Sequence, residues 1–224
     1  MENTIKQSHE WIYRAVTLLS FNGGLVSMVT FMSFLHNSVG YVTGNISFAA
    51  EALVKGNWPS FHGYLLALIS FLVGSIISGV IIPSDNANRN NNYNLALTLE
   101  MICITIGGFG LKLGVDSAKY FLAISMGMQN ALTTYYGNSI IRTTHMTGTM
   151  TDLGITLGHF IRGDKVAIWR IVVYSCLLLG FFIGSVCGVI GYSYLGYNTL
   201  LISVLLCLVM LRLSGSKNRR PRQS

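Results

Sequence analysis

The chain has 224 residues, 51% of them hydrophobic and only 10% charged, with a net charge of +7. A soluble domain carries about a quarter charged residues, so too little polar surface is present to coat a water-soluble globule; mean hydropathy is +0.54. Apolar runs near the roughly 20 residues needed to cross a bilayer recur, and no period-2 alternation of the kind a β-barrel needs is visible, so the fold class is an all-α polytopic membrane protein.

The polar start, Met1 to Glu10, leads into no short apolar core with a cleavage site, so the first long run is its own insertion signal. That run, segment A, extends from about Trp11 to Leu35 and is interrupted by Asn22-Gly23-Gly24 and Ser27. Segment B, from about Gly40 to Lys55, opens in Tyr41-Val42-Thr43-Gly44-Asn45. At 1.5 Å per residue it reaches roughly 24 Å, marginal for a hydrocarbon core of about 30 Å. Gly56-Asn57-Trp58-Pro59 ends it with turn chemistry. Segment C runs from about Phe61 to Ile82 and stops at Pro83; a polar loop, Asn86 to Asn94, follows. Segment D, Leu95 to about Leu113, carries Glu100.

The order then repeats. Segment A′ covers Tyr120 to Tyr136 and holds Gly127-Met128-Gln129-Asn130; B′ covers about His145 to Ile161 and opens in His145-Met146-Thr147-Gly148-Thr149. C′ covers about Ile168 to Tyr192, and D′ Leu195 to Leu213. Thr43-Gly44 falls on Thr147-Gly148 at an offset of 104, and the ridge Ser70, Gly74, Ser78 falls on Gly180, Gly184, Gly188 at an offset of 110. Small residues four apart let helix backbones approach closely in lipid. The chain therefore reads as two sequence-related halves. Each has three strong transmembrane helices plus one short intramembrane or spanning segment after the Thr-Gly-Asn or Thr-Gly-Thr motif. The expected units are residues 1–116 and 117–213, with a basic tail at 214–224. If the short segments span, there are eight crossings and parallel halves; if they only dip in, there are six and the halves are inverted. Loop charge favours eight slightly, hydropathy six.

Arg212, Lys217, Arg219, Arg220 and Arg222 sit after the last apolar run, which marks a cytoplasmic C-terminus lying against anionic lipid. With no folded basic domain, nucleic acid is not an expected partner; the lipid bilayer and a small solute or ion are, and a homo-oligomer is compatible. Cys103, Cys176, Cys187 and Cys207 all lie inside apolar runs without CxxC spacing, so neither a disulfide framework nor a metal site is expected. No GxxxxGK[ST], HExxH or GxSxG pattern occurs; no cofactor, catalytic residue or enzyme activity is expected.

Acids inside apolar segments cost about 2.5–3.5 kcal/mol at the bilayer centre, which makes Glu100 and Asp152 candidates for ion coupling. Thr43, Gly44, Asn45, Gln129, Asn130, Thr147, Gly148 and Thr149 are the candidate solute-binding residues, because helix N-termini inside a membrane attract anions or carboxylates. Structural alternatives stand beside these. Thr and Asn cap helices, amides glue helices together, Glu51 pairs with Lys55 one turn on, Glu100 lies near a segment edge, and Asp152 faces the positive end of B′. Arg142 reads as a topology anchor, a headgroup contact or an anion ligand, and His145 as a titratable or merely hydrogen-bonded group.

Gly24-Leu25-Val26-Ser27, Thr43-Gly44-Asn45, Met126-Gly127-Met128-Gln129-Asn130-Ala131 and Arg142-Thr143-Thr144-His145-Met146-Thr147-Gly148-Thr149 together resemble the YoaK family of bacterial multi-pass membrane proteins. That family typically carries an acidic residue where Ser27 stands. The resemblance implies a bacterial cytoplasmic (inner) membrane protein and supplies no substrate. The function expected is a small secondary transporter or permease with a site between the halves; the alternative is a non-transporting membrane scaffold or regulatory protein.

Overall fold

The computed structural model describes residues 2–33, 38–82, 89–136 and 143–217. They form α1 (Glu2–Met32), α2 (Val42–Val54), α3 (Trp58–Ile81), α4 (Arg89–Lys112), α5 (Lys119–Tyr136), α6 (Met146–Ile161), α7 (Ile168–Leu195) and α8 (Leu200–Lys217), with no strand among the described residues. His36, Pro83, Arg142 and the basic residues beyond Lys217 lie outside them. Among the described residues, four stretches are long and apolar enough to cross a membrane: Ile12–Met32, Trp58–Ile81, Asn92–Lys112 and Ile168–Leu213. The last, at 46 residues, would be roughly 69 Å long as one helix, over twice the hydrocarbon thickness. Gly196, at φ 57°, breaks it into α7 and α8 in a backbone region that favours glycine.

The short helices end in tight turns. Gly56 (φ 68°) and Gly163 (φ 85°) close α2 and α6. Asn57 Oδ1 then accepts from the Ser60 amide at 3.3 Å, and Pro59 sits in the first turn of α3, a good N-terminus on both counts. Beyond Gly163, Arg162 together with His159 holds the exposed Asp164 carboxyl below the usual carboxylate range. That contribution is present above the ordinary carboxylate pKa and fades as pH falls through the lowered one; solvent screening keeps it small.

Helix directions follow from the contacts. The Thr17, Phe21 and Leu25 carbonyls meet Gly180, Gly184 and Gly188 in step, so α1 and α7 run parallel. Gly74 lies on the Ile124 carbonyl and Ser78 Oγ donates to Met128 O at 3.1 Å, so α3 and α5 also run parallel. Gly40 sits between Ser27 and Met126, while Gln129 reaches Leu19 O at 2.7 Å; α1 and α5 therefore cross antiparallel. Gly107 meets Leu122 and Gly110 meets Ala118, which sets α4 antiparallel to α5. Gly108 touches Leu200, and the Asn22 amide reaches both Glu100 and Cys207, which sets α8 antiparallel to α4. Thus α1, α4 and α7 point one way, and α3, α5 and α8 the other. The short helices fold back on the long ones that follow: Phe48 of α2 lies 5.6 Å from Tyr64 of α3, and Leu153 of α6 joins the Val173–Tyr174–Leu177 cluster of α7. At 13 and 16 residues, α2 and α6 extend about 20 and 24 Å, and neither alone bridges the hydrocarbon core.

Lipid tails are as apolar as leucine, so helix association depends on close packing and interhelical hydrogen bonds. Both are concentrated at the glycine crossings. A Cβ at Gly24 would run into Phe181 O, at Gly184 into Phe21 O, at Gly127 into Phe71 O and at Gly74 into Ile124 O. Beside them Ser75 Oγ donates to Gly127 O at 3.2 Å and Ser20 Oγ to Leu177 O at 2.6 Å.

Gly74→Ala and Gly184→Ala are expected to destabilise by about 1–3 kcal/mol, the usual penalty of overpacking. Gly158→Ala, with open space around it, is expected to gain up to about 1 kcal/mol of helix propensity. Thermal unfolding in detergent measures all three; a Gly184→Ala protein as stable as wild type would sink the close-packing argument.

Candidate functional site

Val42 and Met146 begin α2 and α6, and their N-caps are Tyr41 and His145, neither of which accepts a side-chain capping hydrogen bond. This corrects the capping alternative for the Thr-Gly stretches. Thr43, Gly44 and Asn45, like Thr147, Gly148 and Thr149, lie inside the first helical turns. The glycines serve the N-cap rings: a Cβ at Gly44 would meet the Tyr41 ring, and one at Gly148 the His145 ring.

Both helix starts open on one cavity of about 730 Å3. Its walls include Ser27 and Met28 of α1, Thr43 of α2, Phe71, Ser75 and Gly79 of α3, Asn130 and Ala131 of α5, Thr147 of α6 and Phe181 of α7. Gly40, Tyr41, Thr144 and His145 supply the turns. Among the described residues, no Asp or Glu lines it. First-turn amides and the aligned peptide dipoles give each helix start a partial positive charge, so the cavity offers donors and positive potential.

Of the candidate residues, Thr43, Asn130 and Thr147 line the cavity directly. Asn45 and Thr149 are buried one turn behind; Asn45 Nδ2 donates to Ser38 O at 3.2 Å and Thr149 Oγ1 to His145 O at 3.1 Å. Asn130 clamps the turn before α6 by donating to Thr144 Oγ1 and accepting from the Thr144 amide at 3.1 Å. Gln129 is fully buried in a separate polar chain. Its Nε2 donates to Leu19 O at 2.7 Å and Thr143 Oγ1 at 2.9 Å, and its Oε1 accepts from Asn22 Nδ2 at 3.0 Å.

The same Asn22 amide reaches Glu100 Oε1 at 3.4 Å, and Ser203 Oγ donates to Asn22 Oδ1. Glu100 is fully buried, and its Oε2 has no hydrogen-bond partner among the described residues. The sequence put Glu100 near a segment edge; α4 begins at Arg89 rather than Leu95, which moves Glu100 about three turns into the helix. Asp152 is exposed on α6 and away from the cavity lining. Glu51 forms its i,i+4 pair with Lys55 at the exposed end of α2. Sequence reasoning missed Phe71, Phe181 and Ser203, and named Thr143 only as part of a motif. The first two stand in the aligned segments Phe71-Leu72-Val73-Gly74-Ser75 and Phe181-Phe182-Ile183-Gly184-Ser185, which was the signal for them; Ser203 carried none.

The model of the family described as "protein of unknown function (DUF1275)" matches residues 15–213. The chain belongs to this family. Among curated proteins, the UPF0700 transmembrane protein YoaK of Bacillus subtilis (strain 168) is 26% identical over 171 residues, covering 73% of this chain and 76% of its own. No solved structure matches. This DUF1275 chain is thus a membrane protein whose apolar helices contact the lipid bilayer.

Gln129→Leu would remove the hydrogen bonds to the Leu19 carbonyl, the Thr143 hydroxyl and the Asn22 amide from a fully buried position. It is expected to cost about 1–3 kcal/mol, the penalty of unsatisfied buried groups. Thr151→Ala, which removes an exposed intrahelical bond, is expected to change stability by under about 0.5 kcal/mol. Chemical or thermal unfolding compares the two; equal effects would mean the buried chain contributes nothing.

Proposed function

We propose that the protein is a small secondary transporter or permease, built from two copies of one four-helix unit in opposite orientation, with its solute site where the copies meet. The carrying observation is the cavity of about 730 Å3 and the way its lining pairs up. Ser27 and Asn130 are 103 positions apart, Tyr41 and His145, Val42 and Met146, and Thr43 and Thr147 are 104 apart, and Phe71 and Phe181 are 110 apart. The offsets of 104 and 110 are those at which the Thr-Gly motifs and the small-residue ridges of the two halves align. The crossings support the same reading: Gly24 on Phe181 and Ser185 is matched by Gly127 on Phe71 and Ser75, and Gly184 on Phe21 by Gly74 on Ile124. α1 and α5 are antiparallel, as are α4 and α8, which is what inversion requires.

In this reading α2 and α6 are half-helices whose N-termini meet at mid-membrane, one from each side. Irregular backbone at that depth is tolerated where it lines a polar cavity. Among the described residues the lining has amides, hydroxyls, two helix N-termini and no acid, which suits a small neutral or anionic polar solute rather than a cation. Glu100 is the residue we assign to ion coupling; Asp152, exposed on α6, is the weaker of the two candidates. Lys55, Lys112 and Lys119 fall on one face of the membrane and Arg14, Arg89, Arg162, Lys165, Arg170 and Arg212 on the other. By the positive-inside rule the second face, with the C-terminus, is cytoplasmic, in what the resemblance makes a bacterial inner membrane.

Purified protein screened against small polar solutes is expected to gain stability with one class. Ligand at about 100 times its Kd adds roughly 2.7 kcal/mol. Asn130→Ala, Thr147→Val and Gly79→Trp are each expected to abolish that shift. A solute that stabilises all three variants as it does wild type would remove the site from the cavity. No response to any solute, with the variants merely less stable, is the outcome expected of a non-transporting scaffold.

A further inference from the structure

We propose that the Glu100 carboxyl is an exchangeable proton-binding site, joined to the solute cavity by the chain Asn22–Gln129–Thr143. Its role in coupling rests on the transport reading; its chemistry does not. The orientation of the Gln129 amide is fixed by a backbone group, and that of Asn22 follows from it. Leu19 O can only accept, so it takes Gln129 Nε2 at 2.7 Å. Gln129 Oε1 must then face Asn22 and accept from Nδ2 at 3.0 Å, which turns Asn22 Oδ1 toward the Ser203 hydroxyl. What is left for Glu100 is a share of one N–H, at 3.4 Å to Oε1, while Oε2 meets nothing among the described residues.

A free oxygen on a fully buried carboxyl calls for a ligand, and the surroundings select which. A metal ion needs several oxygens, and among the described residues no group of three His, Cys, Asp or Glu could hold one. Asn22 presents its N–H side to the carboxyl and its oxygen is already taken, so a cation would meet a donor rather than a ligand. A proton needs one lone pair and no coordination shell. The titratable groups facing Glu100 among the described residues are the Cys103 thiol on α4 and the Cys207 thiol on α8; α1 and α5 present Asn22 and Gln129, which do not titrate. Gln129 also holds Thr143, next to the Thr144 that Asn130 clamps at the cavity wall. Loading or unloading Glu100 therefore acts through the Asn22 amide on Gln129, which holds Thr143 in the turn before α6.

Infrared difference spectra of the full chain in lipid nanodiscs, taken between acid and alkaline buffer, read the protonated carboxyl directly through its C=O band. Wild type is expected to show a pH-dependent buried band. Glu100→Gln is expected to lose it, Asp152→Asn to keep it, and Asn22→Ala to shift its midpoint pH. Glu100→Asp, which retains a carboxyl, is expected to restore a band at a different position if the Gln variant does not fold. A wild-type protein without such a band, or the same band in Glu100→Gln, would overturn the inference. Since no solute is involved, a protein that shows the band but binds nothing keeps this site and loses the transport reading.

Discussion

Two backbone-to-backbone crossings carry the rest of the structure: α1 on α7 at Gly24 and Gly184, and α3 on α5 at Gly127 and Gly74. Water drives no helix association inside a bilayer, so contact distance decides what holds. At these four positions there is no room for even a methyl group. The approach lets serine hydroxyls reach carbonyls on the facing helix, and it places α1 and α5 side by side at the centre.

That centre has two compartments of different character. One is the cavity, open and lined by hydroxyls, amides, aromatic rings and two helix starts. The other is the closed chain from Glu100 through Asn22 and Gln129 to Thr143, in which nearly every donor and acceptor is matched. They share the end of α5: Gln129 belongs to the closed chain and Asn130 to the cavity. Adjacent residues on one helix thus serve both, and the turn before α6 is gripped by each. A polar chain in a low-dielectric interior is stiff because breaking any link leaves a buried group unsatisfied, which is why it can transmit a local change.

Much of this was legible in the chain itself. Composition gave the membrane class, segment lengths set two short segments apart while leaving six or eight crossings open, and the small-residue ridges at Gly74 and Gly184 marked the tight faces. Glu51 was readable as a surface ion pair because its partner, Lys55, is one turn away. The partners of the ridges were not readable: a stripe of small residues says that a helix comes close without saying which. The fate of Glu100 was missed because hydropathy drops at Asn92 and Asn94 although α4 continues through them. Capping was the alternative reading of Thr43 and Thr147 by residue type, yet the N-caps are Tyr41 and His145, two residues earlier, with their rings packed on Gly44 and Gly148.

The central claim is that the two halves lie in the membrane in opposite senses, with α2 ending on one face and α6 on the other. Single cysteines at Lys55 and Lys165, in a chain whose four native cysteines are replaced by alanine, test it in intact cells with a membrane-impermeant thiol reagent. Lys55→Cys is expected to be labelled from outside and Lys165→Cys only after the membrane is opened. Labelling of both from the same side would contradict the account and make the halves parallel.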